Sequence, residues 1–171
     1  MTVERQKISE DIVGEVWAEF DAIDSESKAE SFLESFALKQ PSIVEFLSVL
    51  TEEFSEEMQE LTHYMGLIVY NCYLRSFGDM RELSANEIGK LFEQENDRLE
   101  KLSETEGDES EVEDDLSNYS QPALIQFIVE TLFDLESEES GDEDSLDDQD
   151  KGYIFMLLKV EIDCLDRSIN N

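Results

Sequence analysis

The chain has 171 residues, 12 of them basic and 45 acidic, for a net charge of −33. A surface of that sign repels nucleic-acid phosphates and anionic lipid headgroups. Direct nucleic-acid binding and membrane attachment are therefore disfavoured, while cations or a basic protein partner are favoured. An apolar fraction of 40%, with 10 Phe and 5 Tyr, is enough for one packed core, and the few glycines (7) and prolines (2) point to helices rather than turn-rich β-structure.

The first helix is predicted over about 9–23. Ile8, Ile12, Val13, Val16, Trp17, Phe20 and Ile23 share one face at helical spacing, behind Ser9 and the acids Glu10 and Asp11. A second helix is expected from Ser27, capped by a Ser27–Glu30 box, and ends near Gln40 because Pro41 disfavours helical geometry before it. Pro41 suits the first turn of a third helix, for which Ser42 and Glu45 are spaced as a capping box. Ser55 restarts the chain into a long helix that stops at Gly78, and its second half, 64–74, is apolar on nearly every side, as a central helix would be. Ser84 and Glu87 cap a further helix to about Leu102, with Ile88, Leu91, Phe92, Leu99 and Leu102 on one face. Ser120 and Pro122 open another, and the last runs over about 151–168. Between these lie two acidic segments expected to be flexible, 104–118 with eight acids and 134–150 with ten. The expected fold is a single all-α domain over 1–171, a bundle of about six to seven helices. An apolar helix face left uncovered by one chain would serve equally as a homodimer interface.

Two local matches suggest an internal duplication. Gln40-Pro41-Ser42-Ile43-Val44-Glu45-Phe46-Leu47 parallels Gln121-Pro122-Ala123-Leu124-Ile125-Gln126-Phe127-Ile128, 81 residues on. Tyr70-Asn71-Cys72-Tyr73-Leu74-Arg75-Ser76-Phe77 parallels Ile162-Asp163-Cys164-Leu165-Asp166-Arg167-Ser168-Ile169, 92 residues on. An insertion within 134–150 absorbs the difference. Repeats over 40–78 and 121–169 would place two helical hairpins about a pseudo-twofold axis.

The uncharged runs 61–74 and 116–129 are 14 residues each, short of the roughly 18–20 needed to span a bilayer. Residues 1–7 hold no apolar signal core, and Cys72 and Cys164 lie within apolar helical stretches as buried free thiols. A cytoplasmic location follows as the expectation.

Candidate chemistry is thin. Glu60 and His63 form a Glu-x-x-His step, a spacing that resembles carboxylate-bridged di-iron bundles, but those need the step from two helices and this chain has one histidine. Glu56-Glu57-Met58-Gln59-Glu60-Leu61 resembles the Glu-Glu-x-x-Glu segment of all-helical nucleoside triphosphate pyrophosphohydrolases. The resemblance implies Mg²⁺ held on Glu56, Glu57 and Glu60. The family's second Glu-x-x-Asp step on the following helix is missing here, which puts the metal site in doubt. The acids Asp142, Asp144, Asp147, Asp148 and Asp150 lack the alternating ligands, glycine and terminal glutamate of a calcium loop. The sequence calls for no cofactor and assigns no catalytic residue. The leading expectation is a non-catalytic acidic protein that binds a basic protein surface, in its sharpest form by mimicking nucleic acid. The alternative is a metal-dependent helical hydrolase of phosphorylated small molecules.

Overall fold

A computed structural model describes residues 7–23, 25–78, 80–104, 119–138 and 148–169. The chain forms a helical bundle, and no strand occurs among the described residues. In chain order the helices are α1 (Glu10–Asp21), α2 (Glu26–Lys39), α3 (Pro41–Leu50), α4 (Glu56–Phe77), α5 (Ala85–Glu104), α6 (Pro122–Glu138) and α7 (Asp148–Ile169). No helix of the described residues is long and apolar enough to cross a membrane.

The helix starts follow local chemistry. Ser9 and Ser55 cap α1 and α4 by accepting the backbone N–H of Ile12 and Met58. Ser84 accepts from Glu87 N at 3.2 Å while Glu87 Oε1 accepts from Ser84 N at 3.3 Å, a complete capping box. Two predicted caps are corrected. The cap of α2 is Ser25, which accepts from Lys28 N, so the helix starts one residue before Ser27. No Ser42–Glu45 box starts α3; Pro41 sits in its first turn, the cap position is Gln40, and no side chain caps it. Gly78, at φ +78°, ends α4 in a conformation that a side chain would strain. Helices also run further into acidic sequence than periodicity suggested, α6 to Glu138 and α7 from Asp148. The remainder of the two acidic segments, 105–118 and 139–147, lies outside the described residues.

The two long apolar helices, α4 and α7, pack on each other at the centre. Along α4, Met65, Gly66, Leu67, Ile68, Val69, Tyr70, Cys72 and Tyr73 are all buried, as an all-round apolar stretch requires. On α7, Ile154, Leu157, Leu158, Val160, Cys164 and Leu165 are equally enclosed. Around this pair, α1 packs on α4 and α5 on α7, while α3 lies against α5 and α6 against α1. Helix α2, with only Phe36 buried, covers α3 and α4 through a Phe36–Tyr70 stack at 4.6 Å.

Gly66 sets how closely α4 and α7 approach. A Cβ there would lie 2.8 Å from Glu161 Oε1 and 2.9 Å from Leu47 Cδ1. Both neighbours are fully buried. Gly66→Ala is therefore expected to lower stability by about 1–3 kcal/mol through overpacking, despite alanine's better helix propensity. The urea midpoint would drop at unchanged m-value. A raised midpoint would mean that the neighbours yield and only the propensity gain remains.

Candidate functional site

At one end of the bundle the polar side chains turn inward. Gln40, just before α3, is fully buried. Its Nε2 donates to Arg81 O at 2.9 Å and to Ser168 Oγ at 3.2 Å, and its Oε1 accepts from Leu83 N at 3.1 Å. Gln121, just before α6, is fully buried too; its Oε1 accepts from Ile8 N at 2.7 Å and its Nε2 donates to Asp166 Oδ1 at 3.1 Å. Each glutamine thus ties down the residue two before a helix, Ile8 ahead of α1 and Leu83 ahead of α5. Asp166 also accepts from Tyr73 Oη at 2.6 Å and from Ser120 Oγ. Burial first, then the Asp166 charge, pushes the Tyr73 hydroxyl well up, so it stays a donor. This layer is satisfied within the chain and fixes the register of six helices.

A second network joins α5 to α7. Glu95, only 3% exposed, accepts from Arg98 Nε at 3.1 Å and pairs with Lys159 at 3.1 Å, which also holds Asp163 at 2.7 Å. Burial alone would raise the Glu95 carboxyl, but Arg98 and Lys159 outweigh it and hold it below its ordinary value. Glu161 has no such help. It is fully buried on α7, and neither carboxyl oxygen has a hydrogen-bond partner among the described residues. Burial raises its pKa well above the ordinary value and so favours the protonated form. Cys72 and Cys164 are free and buried; burial pushes Cys72 up to about 12 against the opposing Arg75 charge. Neither is a poised thiolate.

The residues singled out from the sequence lie along the first two turns of α4. Glu56, Glu57 and Glu60 are exposed, the first two in the first turn. His63 is turned away into a local contact. Its Nδ1 lies 2.7 Å from the Gln59 carbonyl and must carry the hydrogen when neutral, so Nε2 accepts from Ser48 Oγ at 3.0 Å. That polarity suits a serine and its base, but Ser48 sits near the carbonyl end of α3, where helix N–H groups point away from any oxyanion. The pair ties α3 to α4. Among the described residues, no group of three or more His, Cys, Asp or Glu side chains is arranged to hold a metal ion.

What the surface does display is negative charge in rows. On α1, Asp11, Glu15 and Glu19 succeed one another four residues apart, all exposed; on α2, Glu26, Glu30 and Glu34 do the same. Like charges at this spacing face each other one turn apart and destabilise a helix by roughly 0.2–0.5 kcal/mol per pair. Arg75 reaches Glu15 at 4.0 Å and pairs with Glu19. The α2 row is in no ion pair among the described residues. Apolar side chains are exposed as well. Trp17 is 46% exposed and Tyr64 38%. Tyr64 meets buried Phe20 edge-on at 6.4 Å, and Phe20 meets Phe32 at 4.7 Å. Burial and the neighbouring Asp21 carboxylate raise the Tyr64 hydroxyl.

Sequence reasoning missed Ser48, Glu95 and Glu161. Two of them carried a signal. Glu95 falls one turn from Leu91 and Leu99 on the apolar stripe of α5, and Glu161 one turn from Leu157, Leu158 and Leu165 on α7.

The chain matches no protein-family model, no curated protein and no solved structure.

Proposed function

We propose that this protein is a non-catalytic, acidic interaction protein that binds the basic surface of another protein. The observation that carries the reading is the pair of carboxylate rows on α1 and α2, arranged at a spacing that costs the free helices stability. A cationic partner would relieve that repulsion on binding. In the sharpest form the rows stand in for backbone phosphates, and the partner is a nucleic-acid-binding protein. The alternative, hydrolysis through a metal on Glu56, Glu57 and Glu60, draws no support from side chains that face solvent separately. Two enclosed free thiols are consistent with a reducing compartment such as the cytoplasm.

A duplicated architecture goes with this reading. Besides the segments 40–78 and 121–169, Ile12-Val13-Gly14-Glu15-Val16-Trp17 in α1 parallels Glu87-Ile88-Gly89-Lys90-Leu91-Phe92 in α5. The matching roles of Gln40 and Gln121 support it, as does the packing of α3 on α5 and of α6 on α1. Each unit would then be three helices, with α2 as an addition to the first.

Replacing Glu26, Glu30 and Glu34 together by glutamine tests the proposal. Two repulsive pairs disappear, so the free protein should gain about 0.4–1 kcal/mol. Affinity for an oligoarginine peptide, measured by calorimetry at low salt, should fall about tenfold at a contribution near 0.5 kcal/mol per lost pair. A more stable protein with undiminished affinity would remove the α2 row from the binding surface.

A further inference from the structure

We infer that the exposed Trp17–Tyr64 face of α1 and α4 is the docking site for a basic amphipathic helix, an inference that rests on the acidic-interaction reading and names the form of the partner. Trp17 precedes Phe20 by three residues and Asp21 by four, so it stands one turn from both on the same flank of α1. Tyr64 lies against Phe20 and beside Asp21 from the α4 side. The two exposed rings therefore border one carboxylate, over a floor formed by Phe20 and the partly buried Phe32. Glu10 continues the α1 flank at one end, and Glu60 precedes Tyr64 by one turn on α4. An apolar strip edged by acids is complementary to a helix with one apolar face flanked by Lys or Arg.

Gly14 is an independent sign of close approach at this face. It sits inside α1, exposed, one turn before Trp17, and a Cβ there would meet nothing within 4 Å. Glycine inside a helix is destabilising relative to alanine, and nothing in the packing of the described residues needs it. A partner's backbone passing over α1 would need it. Gly89 and Gly152 are equally open, but the aromatic residue one turn beyond each is already covered: Phe92 by Phe46 at 5.6 Å and Phe155 by Tyr119 at 6.3 Å. Among the described residues Trp17 is in no aromatic contact, and it alone of the three is exposed, at 46%.

Trp17 is the single tryptophan, so its fluorescence reports directly on this face. The probes are a Leu/Lys amphipathic peptide of about 18 residues, long enough to hold a helix, and an oligolysine of equal charge. The expected result is a blue shift of Trp17 emission and shielding from acrylamide with the amphipathic peptide alone. By calorimetry it should bind at least tenfold more tightly than oligolysine. Trp17→Ser and Gly14→Leu should each abolish that advantage and leave oligolysine binding unchanged; position 14 is open and Trp17 lies outside the core, so neither threatens the fold. Equal affinity for the two peptides with unmoved Trp17 emission would overturn this site and leave the general acidic reading intact. Binding of neither peptide at low salt would overturn both.

Discussion

Replacing Glu161 by leucine should stabilise the protein by about 1–3 kcal/mol. The carboxyl is enclosed between α4 and α7 without a hydrogen-bond partner among the described residues, and burying a polar group unpaired costs about that much. Leucine has a similar volume, and its neighbours Leu157, Leu158 and Leu165 are apolar. The same residue sets a pH dependence. Its folded-state pKa lies well above the value of 4.5 that serves for the unfolded chain. Ionisation of Glu161 therefore costs the fold nothing below pH 4.5, and stability is lost as pH rises from there through the folded pKa. Within that window the loss amounts to at most about 1.4 kcal/mol per pH unit. The many surface carboxylates also favour low pH, because acid relieves their mutual repulsion, so the comparison must be internal. Glu161→Gln keeps the shape but cannot ionise. Urea unfolding of both proteins from pH 5 to 8 should show the native curve falling relative to the glutamine variant. Parallel curves would mean that water or a partner group reaches the carboxylate.

Removing either buried glutamine should have the opposite effect, and a larger one. Gln40→Ala leaves the Leu83 N–H unpaired and takes one donor from each of Arg81 O and Ser168 Oγ; Gln121→Ala leaves the Ile8 N–H unpaired and takes a donor from Asp166. Each substitution should cost about 2–4 kcal/mol, since buried groups lose their partners and a cavity opens. The two losses should be similar, because the side chains hold equivalent junctions. Gln126→Ala on the exposed face of α6 is the control, expected within about 0.5 kcal/mol of the native protein. A small effect at Gln40 or Gln121 would mean that the chain ahead of α5 or α1 is held by something other than these bonds.

Much of this fold was legible in the sequence. The apolar runs in α4 and α7 announce their central place, and Ser9, Ser55 and Ser84 start helices where their side chains can accept a backbone hydrogen. The misplaced starts have a shared cause. Ser27–Glu30 and Ser42–Glu45 carry the spacing of a capping box, but Ser25 closes α2 earlier, and Gln40 turns its amide inward to Arg81 and Leu83. A cap is a local signal; the commitment of Gln40 is made across 43 residues of chain, which no window of sequence reveals. The candidate site was less legible for a related reason. The acids that sequence motifs picked out, Glu56, Glu57 and Glu60, are ordinary solvated residues at the start of α4. The acid that stands out physically, Glu161, is hidden in an apolar stripe. Net charge pointed to a basic partner but not to a surface. The grouping of Trp17, Tyr64 and Asp21 appears only when α1 and α4 are laid together.

If this acidic surface holds a basic partner, their association must weaken with salt. Binding of a Lys/Arg-rich protein module to the intact chain would be measured by calorimetry from about 0.01 M salt, where charges are felt over roughly 30 Å, up to about 1 M, where they are felt over roughly 3 Å. The expected result is a defined stoichiometry at low salt, an association constant that falls steadily as salt rises, and competition between duplex DNA and the chain for the module. No binding at the lowest salt, or binding indifferent to salt, would contradict it.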